Sequence, residues 1–484
     1  MFLINKKTEK EKGAIITLVL VFSSIFALIL TGLLGYILTQ FKNIERLTAK
    51  EQAFHIAESG VEYYKWYLAH ELEGLSELEQ AEFWANEETI GYPDPYIGDF
   101  YDQYETLLGQ FQLEITPPLP GGNSVSIKSS GWTSEYSNMK RTIQIRRRKP
   151  SWGEYVILIN HRANIPEDMI IKGKAHSNED LRVDGTIYNL ATASETTHPD
   201  PITEEEIEPG VWTTKEPANV FLGGREDNMP IIDFNALLGK MDTMKDLTYG
   251  TNYYLPPPEK HCWPFSWFCL IQFWDPSGYI VELKNNSTID IHKTEGLSFF
   301  GWFLPVFNGS ELLGNYAWPQ NRLVFSEATI WAKGNIGPNQ ITMAAANLSG
   351  ADLPGANNSA DIIIQDDIIY SNDEAVVGLI AQDNIMIDKY AGNPDLEVNA
   401  ALVAKDGQVG REDFGTSLGG LIITGSIAAN YLGEFGDEYC FWTWCWVAGF
   451  DNIELNYDNN LLYNPPPYFP TEENYKTDMW EELE

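Results

Sequence analysis

From Ala14 to Gln40 the chain carries no charged side chain and no proline. A run of that length crosses a bilayer as a helix, because lipid offers no partner to an unbonded backbone N–H or C=O. The apolar pattern does not end in a loop. Phe41, Ile44, Leu47, Phe54, Ala57, Val61, Tyr64 and Leu68 recur at helical spacing, and no glycine or proline stands between Gly35 and Gly60. The spacing predicts one long helix, membrane-embedded over 14–40 and amphipathic over 41–74.

Residues 1–13, MFLINKKTEKEKG, are polar, basic at Lys6, Lys7, Lys10 and Lys12, and end in Gly13. A secretory signal carries its small-residue cleavage site after the apolar run. Here the attractive small residue stands before it, so a cut would leave the apolar segment on the mature chain. An uncut signal-anchor with cytoplasmic lysines obeys the same charge rule. Beyond the apolar run, AFHIAESGVEYYKWYLAH carries Ala53, Ala57, Glu58, Ser59, Gly60 and Glu62. With the leader, this block resembles the type IV pilins and type II secretion pseudopilins, and the PilX-type minor pilins most of all.

That resemblance implies cutting by a prepilin peptidase between Gly13 and Ala14 and methylation of Ala14. It implies a single-pass protein of the cytoplasmic (inner) membrane with its C-terminal part extracytoplasmic, later displayed on a pilus or the cell surface. Its partners would be other pilin subunits, met through the N-terminal helix, where small residues let helices approach closely. Major pilins of the family carry Glu as the fifth mature residue; counted from Ala14, this chain has Leu18 there and no acid between Ala14 and Glu45. A buried ammonium lacking a carboxylate is costly, which suits a low-copy tip or initiation subunit better than a repeating shaft.

The formal net charge of −37 argues against nucleic acid as a partner, since phosphate contacts need Lys and Arg. Acid-rich loops could take Ca²⁺, but no D-x-[DN]-x-[DN]-G loop is present. Cofactors and metals are therefore not expected. The four cysteines fall into two aromatic loops, Cys262/Cys269 and Cys440/Cys445. Outside the cytoplasm disulfides are the default; free thiols and, with poor spacing, zinc remain the alternatives, and four cysteines allow three connectivities.

After the helix, residues 75–150 read as a linker and a small antiparallel sheet like that of a pilin head: Phe111, Leu113 and Ile115 alternate, as do Val125 and Ile127. Arg146 to Lys149 form a basic cluster, read as a solvated strand end or a docking spot for an acidic neighbour. From 151 to 470, short apolar alternations end repeatedly in Gly, Asn or Asp. The fold class is thus α+β, with a large all-β domain predicted as a β-solenoid; a β-sandwich is the alternative. Several segments, among them KAHSNEDLRVDG and YDNNLLYNPPPYFP, resemble the C-terminal domain attached to PilX-type N-termini in environmental bacterial proteins.

An irregular insertion is expected over about 189–316, with a helix over Ile232 to Leu247. Pro465, Pro466 and Pro467 predict an extended strap along the solenoid, and 471–484 a mobile acidic tail. Trp263, Trp267, Trp302, Trp442 and Trp444 are candidates for contacting sugars or another subunit, or for capping the stack. His176 is placed in a turn. No H-E-x-x-H, G-x-S-x-G or P-loop is present. The expected function is a non-catalytic minor pilin or pseudopilin; an unpolymerised membrane-anchored adhesin binding a surface polysaccharide is the alternative, and an anchored polysaccharide-degrading enzyme a third class.

Overall fold

The computed structural model describes residues 8–483 apart from 76, 86–88, 266–267, 300–301, 304–309, 354–357, 390, 392–394, 412–416, 442–443 and 473–474. Its first element, α1 (Thr8–Glu71), is one unbroken helix of 64 residues. Three hydroxyls in its apolar half turn back on their own helix. Ser24 Oγ donates to Leu20 O at 2.6 Å, Thr31 Oγ1 to Ala27 O at 2.8 Å and Thr39 Oγ1 to Gly35 O at 2.9 Å. These polar groups therefore need no partner from the surroundings, as a dry environment demands.

The second half of α1 lies across an antiparallel sheet of β1 (Tyr96–Tyr101), β2 (Leu107–Thr116), β3 (Ser124–Thr133) and β4 (Arg141–Arg148). Period-2 alternation aims Phe111, Leu113, Ile115, Val125, Ile127, Ile143 and Ile145 at Ile56, Val61, Tyr64 and Leu68 of the helix, and these form one core. The acidic tail is not a loose end: Lys476–Leu483 is a fifth strand, paired antiparallel with β4. Its composition is a poor strand signal, but the basic cluster supplies the missing partners. Arg146 Nε donates to Asp478 Oδ1 at 3.0 Å and Arg148 Nε to Asp478 Oδ2 at 2.7 Å, while Arg148 Nη1 reaches Glu154 Oε1 at 2.6 Å. Arg141 pairs with Glu482. The cluster docks an acidic neighbour, and that neighbour belongs to the same chain.

The large domain stacks short strands in parallel. One ladder runs, in spatial order, through Tyr254–Leu255, Leu323–Ser326, Gln340–Ala345, Val376–Ala381, Leu396–Arg411, Ser417–Leu432, Ile157–Ile159, Ala175–Ser177, Ala191–Ala193 and Arg225–Glu226. A second includes Ile330–Ile336, Ile362–Tyr370 and Ile385–Ile387. A third joins Ala163–Ile165, Leu181–Val183 and Val211–Trp212. All three contribute to a single buried core of Ile, Val, Leu and Ala. Ile362, Ile364, Leu379 and Ala381, alternate residues of their strands, are fully buried in it.

The order of strands in the first ladder is not their order in the chain. The chain enters mid-stack at Ile157 and climbs to Arg225 at one end. It resumes at Tyr254 at the other end and climbs back until Ile427 pairs with Ile157. First and last rungs are thus neighbours. Asparagines stitch that seam: Asn160 Nδ2 donates to Asn430 Oδ1 at 2.9 Å, and Asn178 Nδ2 to Asn160 Oδ1 at 2.9 Å.

The return journey crosses the outer face of the first ladder as a helix, Leu237–Thr248, close to the helix expected over Ile232 to Leu247. Phe234, Leu237, Met241 and Met244 pack there on Leu323, Phe325, Ala344, Val376, Ile380 and Val403. The Pro465–Pro467 strap covers the same face: Thr342 Oγ1 donates to Pro467 O, and a Cβ on Gly378 would meet Pro466 at 2.7 Å. The segment 189–316 is more regular than its composition suggests. Ala191–Ala193 and Arg225–Glu226 belong to the first ladder, and Phe268–Lys284, Thr288–Phe299 and Ser310–Ala317 form an antiparallel ribbon.

Candidate functional site

Two surfaces of α1 carry its possible work. From Ile15 to Leu47 every described side chain is exposed, Leu28 at 75% and Leu47 at 63%. At ~1.5 Å rise per residue this naked stretch is about 50 Å long, more than the ~30 Å of a bilayer core. Phe41, Ile44 and Leu47 therefore form an apolar stripe beyond the lipid-length segment, sharing the helix with Lys42, Glu45 and Arg46. Among the described residues α1 is the one helix long and apolar enough to cross a membrane. Leu18 lies on this surface, 59% exposed, and Gly13 and Ala14 fall within the helix, their side chains outside the described residues.

Burial begins at Ala49. Ala53, Ala57 and Gly60 do not face outward for neighbouring helices: all three are buried under the chain's own sheet. The reason is steric. A Cβ on Gly131 of β3 would come within 2.3 Å of Ala53 O and 2.4 Å of Ala57 N, and one on Gly60 within 2.4 Å of Ser129 Oγ. Small residues on both elements let strand and helix backbones touch. Of the same block, Glu58 and Ser59 are partly exposed and Glu62 exposed; Glu58 pairs with His55 at 3.0 Å and Glu62 with Lys65 at 2.7 Å.

The cysteines sit on strands whose side chains lie outside the described residues. Their backbones are placed: Cys440 stands opposite Cys445 in one hairpin, whereas Cys262 faces Gln272 and Cys269 faces Pro264 in the other. Trp267 and Trp442, and the side chains of Trp263, Trp302 and Trp444, likewise lie outside the described residues.

The polar clusters of the large domain hold themselves together. His176, expected in a turn, lies on a buried strand, where burial lowers its pKa; Nδ1 meets Thr192 Oγ1 at 2.9 Å and Nε2 meets Asn178 Oδ1 at 3.2 Å. Asp180, fully buried, accepts from Arg162 at 2.5 Å and from Trp212 Nε1 at 3.1 Å. Burial, with Glu179 and Asp180 nearby, raises the pKa of Glu195. Among the described residues one trio has donor atoms close enough for a metal, Glu282, Asp290 and His292. Its charge is already met by Lys284, 2.5 Å from Glu282 and 3.4 Å from Asp290, and a hydrogen bond from Asn315 with that ammonium holds Asp290 below its usual range. Sequence reading missed the trio because its members meet only through strand register.

No protein-family profile matches the chain, and no curated protein matches it. Among solved structures, one that is similar is the crystal structure of the competence-associated pilin ComZ from Thermus thermophilus. The two share 13% identity over 90% of this chain and 98% of that one, with a TM-score of 0.32, too low for the likeness to bear on fold or function.

Proposed function

We propose that this chain is a non-catalytic minor pilin or pseudopilin, held in the cytoplasmic membrane and then drawn into a fibre by α1. Its large domain reads as a β-solenoid displayed at the tip or side. The observation that carries the reading is the division of α1. One half is bare and apolar, with Ser24, Thr31 and Thr39 bonded within the helix, and the other is fixed beneath a small antiparallel sheet. The bare half outruns a bilayer, so withdrawal from lipid needs a second apolar shelter, which bundled helices of neighbouring subunits supply. The absence of an acid near Leu18 supports a low-copy position.

Mass spectrometry of the mature N-terminus, in cells with and without prepilin peptidase, tests the reading. Methylated Ala14 in the first strain and intact Met1 in the second are expected. Intact Met1 in both identifies a static anchor. Cysteine cross-linking at Ile44 or Leu47 to other subunits in sheared fibres tests the assembly step.

A further inference from the structure

One end of the small sheet points toward the apolar half of α1. A Cβ on Gly60 would meet Phe111 at 2.8 Å and one on Gly109 would meet Ile56 at 2.7 Å, so β2 descends the helix as its numbers fall. The β3–β4 turn reaches lower still, where Tyr136 Oη donates to Glu45 Oε2 at 3.2 Å. Leu108 lies beside that turn, its carbonyl accepting from Ser134 N at 3.0 Å. Past Leu108 the strands run on, through the Tyr101–Leu107 pair, to the tip of the β1–β2 hairpin at 102–106. Gln40 is the last residue of the uncharged run, and Glu45 stands only about 8 Å beyond it along the helix. A headgroup layer is about 5–8 Å deep on each side of the bilayer core. α1 thus sets this end of the sheet at headgroup level.

The surface there suits that level. Tyr101 is 52% exposed, Tyr104 78%, Leu107 41% and Leu108 42%. Leu107 and Leu108 are successive strand residues and lie on opposite faces of the sheet, while Tyr104 stands in the tip. Apolar groups on both faces and at the tip fit immersion in a fluid layer, whereas a flat protein partner covers one face. The tip is also closed on itself. Asp102 Oδ1 accepts from Tyr104 N at 2.8 Å and Thr106 N at 2.9 Å; Asp102 N donates to Thr106 O at 3.0 Å and Glu105 N to Asp102 O at 3.1 Å. These backbone donors need no water, which is the condition for entering a layer poor in it. Asp99 accepts from Gln110 Nε2 at 2.8 Å and from the Tyr101 hydroxyl at 3.2 Å. No Lys or Arg stands between Tyr96 and Leu108, so attraction to anionic lipid is not what the hairpin offers. Tyrosine beside leucine is instead the pairing that settles at a membrane interface.

We propose that the β1–β2 hairpin is a second membrane contact, its tip set among lipid headgroups through Tyr101, Tyr104, Leu107 and Leu108. The inference rests on the reading of α1 as a membrane span, and its test separates the two. Full-length chain in phosphatidylcholine nanodiscs, a single chain per disc, is oxidised with hydroxyl radicals and each side chain's modification is read by mass spectrometry. Phe26 in the span, 65% exposed, and Tyr249 on the large domain, 69% exposed, are the references. Phe26 should be protected, and Tyr104 should be oxidised at least about fivefold more slowly than Tyr249. Tyr104→Asp should restore oxidation of Leu107 and Leu108 while Phe26 stays protected and the thermal transition stays unchanged. Phe26 reacting freely overturns the span, and this inference with it. Phe26 protected with Tyr104 as reactive as Tyr249, or a Tyr104→Asp variant that leaves Leu107 and Leu108 protected, overturns the hairpin contact alone. Protection of Tyr104 only in discs that hold two chains overturns the lipid assignment in favour of a second copy.

Discussion

At the scale of single residues, the chain's tightest contact depends on what is missing. Gly131 lacks the Cβ that would strike Ala53 O and Ala57 N, two backbone atoms that cannot move without unwinding α1. Gly131→Ala should therefore cost about 2–3 kcal/mol, the upper range for overpacking, read as a lower midpoint of thermal or urea unfolding. Gly32, with open space around it, should accept Ala with no such loss. The small residues were legible; the partner they serve was not, because a helix face of Ala, Ala and Gly suits a strand as well as another helix. Glu327 makes a second residue-scale case. Burial works to raise its pKa, but Lys245 at 2.8 Å, the Ser349 N–H at 2.7 Å and the Tyr254 hydroxyl together hold it below 4.5. A depressed carboxylate stabilises the fold above its unfolded value and loses that contribution as pH falls through the folded one. Wild type should therefore exceed Glu327→Gln in stability at neutral pH, and the gap should close below about pH 4.5, as measured by urea unfolding across pH 7 to 3.

At the scale of elements, period mattered more than composition. The alternations of β2 and β3 and the helix expected over Ile232 to Leu247 came through because each element buries one face against a continuous apolar surface. Lys476–Leu483 did not, because its ion-pair partners are supplied by β4, far away in sequence. Asp478 is the centre of that attachment, with side-chain exposure of 12% against 10% for Arg148. Asp478→Ala leaves two guanidinium groups short of a partner and should cost about 3 kcal/mol, typical of breaking a buried pair from one side. Hydrogen exchange at the β4 amides facing the fifth strand should accelerate accordingly, whereas the β2–β3 ladder should change little.

At the scale of the whole molecule, alternation identified short strands but not their order, since every apolar strand is an acceptable neighbour for every other. The circuit from Ile157 to Arg225, across the Leu237–Thr248 helix and back to Ile427 was therefore hidden. It makes a firm prediction: amides of Ile157–Ile159, though first in the domain, should exchange as slowly as those of Ala401–Ala404. Those of Arg225–Glu226 at a true end should exchange faster, as hydrogen-exchange mass spectrometry would record. Removing residues 417–457 should loosen the opening rungs as much as their own sequence neighbours. The domain also leaves and rejoins the small sheet through adjacent strands, Arg148 opposite Lys476. It is thus moored twice rather than hung from one swivel. A torque on the large domain must twist both moorings at once, and a protease that severs either connection still leaves that domain paired to the small sheet.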